Sequence, residues 1–251
     1  MGMKVYGIIP ARYHSTRLPA KTLIDILGKP MIQRVYERAC GSSFLDRLVV
    51  AADDDRILDR VLKFGGEALK TSPDHPSGTD RVTEAAKLMG AEDGDLIVNI
   101  QGDQPLFEPA MIGEVVGPFR EDARLDMAAL VYPIQSAEEL ANPSVVKVVF
   151  DRRGFALYFS RSPMPFVISP LTIPRYYKHI GPYAYRTGFL KKFVHLERGD
   201  LEKAESLEQL RALEHGYRIR VVETRFDSQE VDTPEDLEKV RAILSAGEKK
   251  E

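Results

Sequence analysis

The first 135 residues alternate short, solid apolar runs with apolar residues at helical spacing. Val5-Tyr6-Gly7-Ile8-Ile9, ended by Pro10, predicts a buried strand. Gly28-Lys29-Pro30 opens a helix, because proline fits the first turn, where its missing N–H is not needed. Met31, Ile32, Val35, Tyr36 and Ala39 give that helix an apolar face, and Gly41 ends it. Leu48-Val49-Val50-Ala51-Ala52 predicts the next strand. Asp53, Asp54 and Asp55 then favour a helix start, where carboxylates meet the positive end of the dipole. Ile57, Leu58, Val61 and Leu62 form its inward face and Gly65-Gly66 its stop. Residues 67–71 suit a third strand, and residues 79–89 a helix with Val82, Ala85, Ala86 and Met89 inward. Leu96-Ile97-Val98-Asn99-Ile100 is a fourth strand, running into Gln101-Gly102-Asp103.

The second half reads differently. Residues 145–150 and 155–159 flank Asp151-Arg152-Arg153-Gly154, a hairpin signal. Prolines 163, 165, 170 and 174 mark an irregular loop. Residues 179–186 predict a strand, and 201–215 one helix with Ala204, Leu207, Leu210 and Leu213 on one side and Gly216 as its stop. Residues 218–224 give a strand and 234–244 a last helix, with Thr233 placed to cap it. Solidly apolar strands belong to a sheet covered on both faces, and repeated strand–helix–strand units to parallel strands with right-handed crossovers. The expected fold is one α/β domain: a mostly parallel sheet with helices on both faces, to which the later part adds a hairpin and a substrate loop.

Composition narrows the function. The chain has 251 residues, 43% hydrophobic and 29% charged, which suits a globular protein. With 35 basic and 38 acidic residues, net −3, a non-specific nucleic-acid partner is not expected. No apolar run reaches the ~20 residues that span a bilayer, and no signal peptide is evident. A lone Cys40, read as a small packing residue, forms no internal disulfide and points to a reducing, cytoplasmic compartment.

Ligands of open α/β sheets bind beyond the carboxyl ends of the strands. After the first strand, Arg12, Arg17 and Lys21 fall close together with Ser15 and Thr16 between them. Arginine forks and a lysine point charge suit phosphate oxygens, and a solvated basic loop is the alternative. Neither GxxxxGK[ST] nor a GxGxxG after the first strand occurs. After the fourth strand, Gly102-Asp103 offers a carboxylate to a phosphate-bound metal, or is a plain turn. After the last strand, Asp232 offers a second carboxylate or caps the final helix. A basic loop facing two strand-end carboxylates suits nucleotidyl transfer from a Mg²⁺-bound nucleotide.

The segment I-I-P-A-R-Y-H-S-T-R-L-P-A-K-T-L at 8–23 resembles the opening of the 3-deoxy-manno-octulosonate (Kdo) cytidylyltransferases. So do, in order, H-P-S-G-T-D-R-V (75–82), V-N-I-Q-G-D-Q-P (98–105), N-P-S-V-V-K-V-V-F-D (142–151), G-F-A-L-Y-F-S-R-S-P-M-P (154–165), K-H-I-G-P-Y-A-Y-R (178–186), L-E-Q-L-R-A-L-E-H-G (207–216) and V-D-T-P-E-D-L (231–237). The resemblance implies a single-domain, Rossmann-like nucleotidyltransferase that is homodimeric, Mg²⁺-dependent and cytoplasmic. About 1–135 would bind CTP, about 136–230 would bind the sugar and dimerise, and 231–251 would be the C-terminal helix. The implied reaction is CTP + Kdo → CMP-Kdo + pyrophosphate, for lipopolysaccharide synthesis; another acidic sugar (8-amino-Kdo, an acylneuraminate, a capsule sugar) is the alternative substrate. Pyrophosphate positions map onto Arg12, Ser15, Arg17 and Lys21, and nucleotide positions onto Ser77, Gly78, Arg81 and Gln101. The metal carboxylates map onto Asp103 and Asp232, and the sugar site onto Arg161, His179, Tyr183, Glu208 and Gln209. Arg12, Lys21, Asp103 and Asp232 would carry the catalysis. Three positions depart from the family pattern: Pro182 where an aliphatic residue is usual, Gln104 where many members have glutamate, and Asp227-Ser228-Gln229-Glu230 where glycine is more common before Val231.

Overall fold

A computed structural model describes residues 2–15, 18–169, 171 and 174–248. The first half runs β1 (Val5–Ala11), a 3₁₀ turn (Lys21–Leu23), the small hairpin β2 (Asp25–Ile26) and β3 (Lys29–Pro30), α1 (Met31–Cys40), β4 (Arg47–Ala52), α2 (Asp55–Lys63), β5 (Ala68–Lys70), α3 (Gly78–Leu88) and β6 (Leu96–Asn99). There follow α4 (Ala110–Val116), α5 (Pro118–Glu121), β7 (Met127–Pro133), α6 (Ala137–Ala141), β8 (Lys147–Phe150) and β9 (Ala156–Ser160). The chain ends with β10 (Tyr177–Arg186), α7 (Thr187–Phe193), α8 (Asp200–Glu205), α9 (Gln209–Glu214), β11 (Ile219–Glu223) and α10 (Pro234–Glu248).

A nine-stranded sheet is ordered β11-β7-β10-β6-β1-β4-β5, with the β8–β9 hairpin joined to β10. β1 pairs in parallel with β4 and β6, and β7 with β11; β10 runs antiparallel to both β6 and β7. Alternate strand residues feed two cores. Tyr6, Ile8, Val49 and Ile97 pack with Val82 of α3, Leu190 of α7 and Leu210 of α9. Ile9, Val50 and Val98 pack on the other face with Val35 of α1, Val61 of α2 and Ile112 of α4. The expected helices on both faces are thus present, and β7 and β11 of the later chain extend the same sheet.

The structure corrects four readings. β7 escapes the hydrophobic pattern because Met127-Ala128-Ala129-Leu130 has helix-forming residues; pairing with β10 and β11 overrides that propensity, and all four are buried. The expected helix over 201–215 is two, α8 and α9, broken at Ser206, whose φ of 52° leaves the helical region. The break exposes Ala204, expected inward, and buries Glu202 against Arg211, Nε to Oε2 at 2.7 Å. Cys40 is exposed, not packed: one step beyond buried Ala39, it turns about 100° away from the core. Leu62 is exposed for the same reason, one step past buried Val61.

One irregularity interrupts β10. His179 pairs with Val131 and Ile180 with Leu130, but the next partner pair is Tyr183 with Ala129. Gly181 and Pro182 therefore bulge out of the ladder. Gly181 takes φ +73°, a region where a side chain is strained, and Pro182 brings no N–H that the ladder would lose. Four steps of unbroken strand would separate His179 and Tyr183 by roughly 13 Å. The bulge sets them opposite residues only two apart, on one face, with rings stacked at 4.3 Å and 18°.

Gly181→Ala tests this arrangement. Its Cβ would lie 2.6 Å from Met111 Cε while the backbone stays at positive φ. The variant should lose about 1–3 kcal/mol in urea unfolding. An unchanged midpoint would mean that the bulge accommodates a side chain.

Candidate active site

Two neighbouring parallel strands deliver the first side chains. Arg12 follows β1, and Gln101-Gly102-Asp103 follows β6. A Cβ on Gly102 would stand 3.0 Å from the Pro10 carbonyl oxygen, so glycine permits this close approach of the strand ends. Lys21 opens the 3₁₀ turn after the basic loop. The chain end returns to it through a third apolar cluster, in which Val231, Leu237 and Val240 pack on Leu18, Ile26 and Met31. The Val231 N–H donates to the Asp103 carbonyl at 2.9 Å, stitching the two carboxylate-bearing segments together.

The result is a bridge. Lys21 Nζ donates to Asp103 Oδ2 and to Asp232 Oδ1, each at 2.7 Å. Burial disfavours the ammonium, but the two carboxylates outweigh it, so the Lys21 pKa lies above its ordinary value. Asp232 is released from helix capping because Thr233 does that work. The Asp236 N–H donates to Thr233 Oγ1 at 3.2 Å, and the Thr233 N–H donates to Asp236 Oδ2 at 3.0 Å, a reciprocal cap.

The opposite wall is the amino end of α3. Ser77 caps it, accepting the Asp80 N–H at 3.3 Å, and the first-turn N–H groups with the helix dipole make this end attractive to anions. Arg81 is buried and held by Thr71 Oγ1 at 2.6 Å and Asp53 Oδ2 at 3.3 Å. Glu208 accepts from Thr79 Oγ1 at 2.5 Å, which turns the start of α9 toward the same space.

These elements enclose a cleft of about 400 Å³. Arg12, Ser15, Lys21, Ser77, Gly78, Arg81, Gln101, Asp103, Glu208 and Asp232, all expected in a site, line it together. Arg17 lies outside the described residues. A second cavity, about 300 Å³ between Asp122, Arg124, Phe155 and Arg218, holds none of the expected residues.

The other residues expected at a sugar site, His179, Tyr183, Gln209 and Arg161, lie apart from that lining. His179 Nε2 is shielded from solvent with no hydrogen-bond partner among the described residues, and burial pushes the imidazole down to about 3, so it is neutral near pH 7. Burial likewise raises the stacked Tyr183 phenol, helped by nearby Tyr185, Glu208 and Glu230. Gln209 is buried at the start of α9. Arg161 donates through Nε to the Glu205 carbonyl at 2.7 Å, through Nη1 to that of Pro143 at 3.0 Å, and through Nη2 to that of Ser206 at 3.4 Å. Its fork ties the end of β9 to the α8–α9 break.

The carboxylates suit a hard divalent cation. Asp103 Oδ1 is buried and without a hydrogen-bond partner among the described residues, an unmet acceptor beside Asp232. Among those residues no group of three or more His, Cys, Asp or Glu is arranged to hold a metal. Two carboxylates with phosphate oxygens and water completing the shell is the pattern of Mg²⁺.

Sequence reading passed over three contributors. Asp53, taken as part of a helix start, accepts the Tyr13 N–H at 2.9 Å and pairs with Arg81. Its position at the end of β4 was the available signal. Thr79 falls in the first turn of α3, where a helical pattern gives its hydroxyl no role. Glu230 adjoins Asp103 and Asp232; desolvation of its carboxyl and repulsion by those two charges raise its pKa above the ordinary value, although the residue as a whole is exposed.

Residues 6–219 match the sequence profile of the cytidylyltransferase family. A 3-deoxy-manno-octulosonate cytidylyltransferase of Syntrophus aciditrophicus is 56% identical, over 96% of this chain and 97% of that protein. One from Syntrophobacter fumaroxidans is 54% identical, over 97% and 98%. A solved CMP:2-keto-3-deoxy-manno-octonic acid synthetase, complexed with CTP, superposes with a TM-score of 0.91 at 45% identity, over 97% of this chain and 99% of that one. With the fold and these relatives in agreement, the chain belongs to the 3-deoxy-manno-octulosonate cytidylyltransferase family.

Proposed function

We infer that the chain transfers CMP from CTP to the anomeric hydroxyl of Kdo, giving CMP-Kdo and pyrophosphate. The observation that carries this reading is the meeting of Lys21, Asp103 and Asp232 beside Arg12 and the amino end of α3. The sugar oxygen forms a bond to the α-phosphorus, the bond from that phosphorus to the β-phosphate bridging oxygen breaks, and the hydroxyl proton leaves to solvent. Arg12, Ser15, Arg17 and Lys21 bind the β- and γ-phosphates, and the cations stabilise charge that builds on the leaving pyrophosphate. Ser77, Gly78 and Arg81 present the start of α3 to the nucleotide, with Gln101 near its base or ribose. Asp103 and Asp232 would hold Mg²⁺, which when bound polarises phosphate oxygens and makes the attacking hydroxyl more acidic. Glu208, Gln209, His179, Tyr183 and Arg161 serve the sugar acid, and neutral His179 adds no charge there. No covalent intermediate is required.

The reading includes lipopolysaccharide synthesis, a cytoplasmic location and a homodimer. No helix among the described residues is long and apolar enough to cross a membrane. Leu157 on β9 and Phe166, Ile168 and Leu171 in the loop after it are 63%, 88%, 90% and 94% exposed, apolar surface of the kind a second copy covers.

Three measurements test these points. Pyrophosphate release over a panel of nucleotides and sugar acids should require CTP and Kdo together. Faster release with 8-amino-Kdo, an acylneuraminate or another nucleotide would reassign the substrate. Asp103→Asn and Asp232→Asn should each cut turnover at least about a hundredfold while the fold persists; near-normal turnover at saturating Mg²⁺ would end the shared-metal reading. Sedimentation should give twice the mass of one chain, and a monomer at micromolar concentration would refute the dimer.

A further inference from the structure

Two side chains that flank the carboxylate-bearing segments touch. Gln104 Nε2 donates to Glu230 Oε1 at 3.0 Å, across 126 residues of chain. Gln104 is 2% exposed, so its amide needs partners inside the protein. Its Oε1 accepts from Ser228 Oγ at 3.4 Å, and Ser228 belongs to the same segment as Glu230. Asp227, at the start of that segment, pairs with Lys178 on β10 at 3.0 Å. A glutamate at 104 would set a second carboxyl against Glu230 at hydrogen-bond distance, where the two must share a proton or repel. A glutamine at 104 instead supplies the donor that the Glu230 carboxyl accepts.

The location gives the pair its meaning. Gln104 follows Asp103 directly, and Glu230 precedes Asp232 by two residues. Between them runs the backbone bond from the Val231 N–H to the Asp103 carbonyl. We propose that Gln104 and Glu230 form a latch that fixes the spacing of Asp103 and Asp232, and so sets the affinity of this site for its divalent cation. Both are positioning residues. The latch works through the hydrogen bond and not through the charge of Glu230. The inference rests on the reading that Asp103 and Asp232 hold the cation.

Mn²⁺ binding in the presence of CTP, followed by electron paramagnetic resonance, tests it with neutral and conservative variants. Gln104→Leu keeps the volume but removes the donor, and should weaken Mn²⁺ binding about tenfold, while kcat at saturating Mg²⁺ changes much less. Glu230→Ala should match it, and the double variant should be no worse than either alone. Glu230→Gln keeps an acceptor for Gln104 and should stay within about twofold of the parent. A loss in Glu230→Gln with none in Gln104→Leu would mean that charge, not the latch, acts on the cation, and additive losses would mean that the two residues act separately. A second readout needs no metal. Amide exchange at Val231 in the metal-free enzyme should quicken in Gln104→Leu and not in Glu230→Gln. Unchanged exchange in Gln104→Leu overturns the latch. If Asp232→Asn binds Mn²⁺ as tightly as the parent, the cation assignment falls instead, and the exchange result alone decides whether the two segments are latched.

Discussion

A single ammonium group holds the cleft end of this molecule together. Lys21 reaches carboxylates 82 and 211 residues away in sequence, so one contact closes the loop after β1, the end of β6 and the start of α10. Two carboxylates converging on a shielded cleft repel each other, and a lone lysine there is poorly solvated; the bridge resolves both problems. Removing one partner from a fully buried pair costs about 3–5 kcal/mol, and less here because Asp103 and Asp232 keep 28% and 22% of their side-chain surface exposed. The apolar packing of Val231 and Leu237 on Leu18 and Met31 brings the partners within reach, so the chemistry at the cleft depends on a small hydrophobic cluster behind it.

That dependence explains what was legible in the chain. The strands β1, β4 and β6 stand out because burial on both faces leaves them solidly apolar, and α1, α2 and α3 because one apolar stripe suffices. β7 is equally buried, yet its methionine and alanines carry no strand preference; only its neighbours define it. The break at Ser206 was hidden for the opposite reason. Leucines 207, 210 and 213 continue a helical rhythm that a single left-handed residue interrupts.

For the site, residues at the ends of regular strands were readable and residues placed by irregular backbone were less so. Arg12 and Asp103 follow β1 and β6, neighbours in the sheet, whereas Asp232 lies in the loop before α10 and is brought in by the apolar cluster behind it. Sequence alone gave Asp232 two roles, and the cap formed by Thr233 and Asp236 separates them. His179 and Tyr183 do share a face, though simple alternation is not the cause: a two-residue bulge shortens the distance. The engagement of Arg161 with three carbonyls, and the contact between Gln104 and Glu230, come from long-range geometry that no local pattern encodes.

The reversed strand β10 has a consequence for biosynthesis. It is the shared neighbour of β6 and β7, and β7 otherwise pairs only with β11, which is made later still. A ribosome adding ~5–20 residues per second needs roughly 4–17 s to travel from Asn99 to Arg186. Through that interval the first part of the chain can assemble its parallel strands, but one edge of β6 has unpaired main-chain groups open to any strand that arrives first. The nascent chain thus passes through a window in which correct completion competes with association between neighbouring chains on the same message.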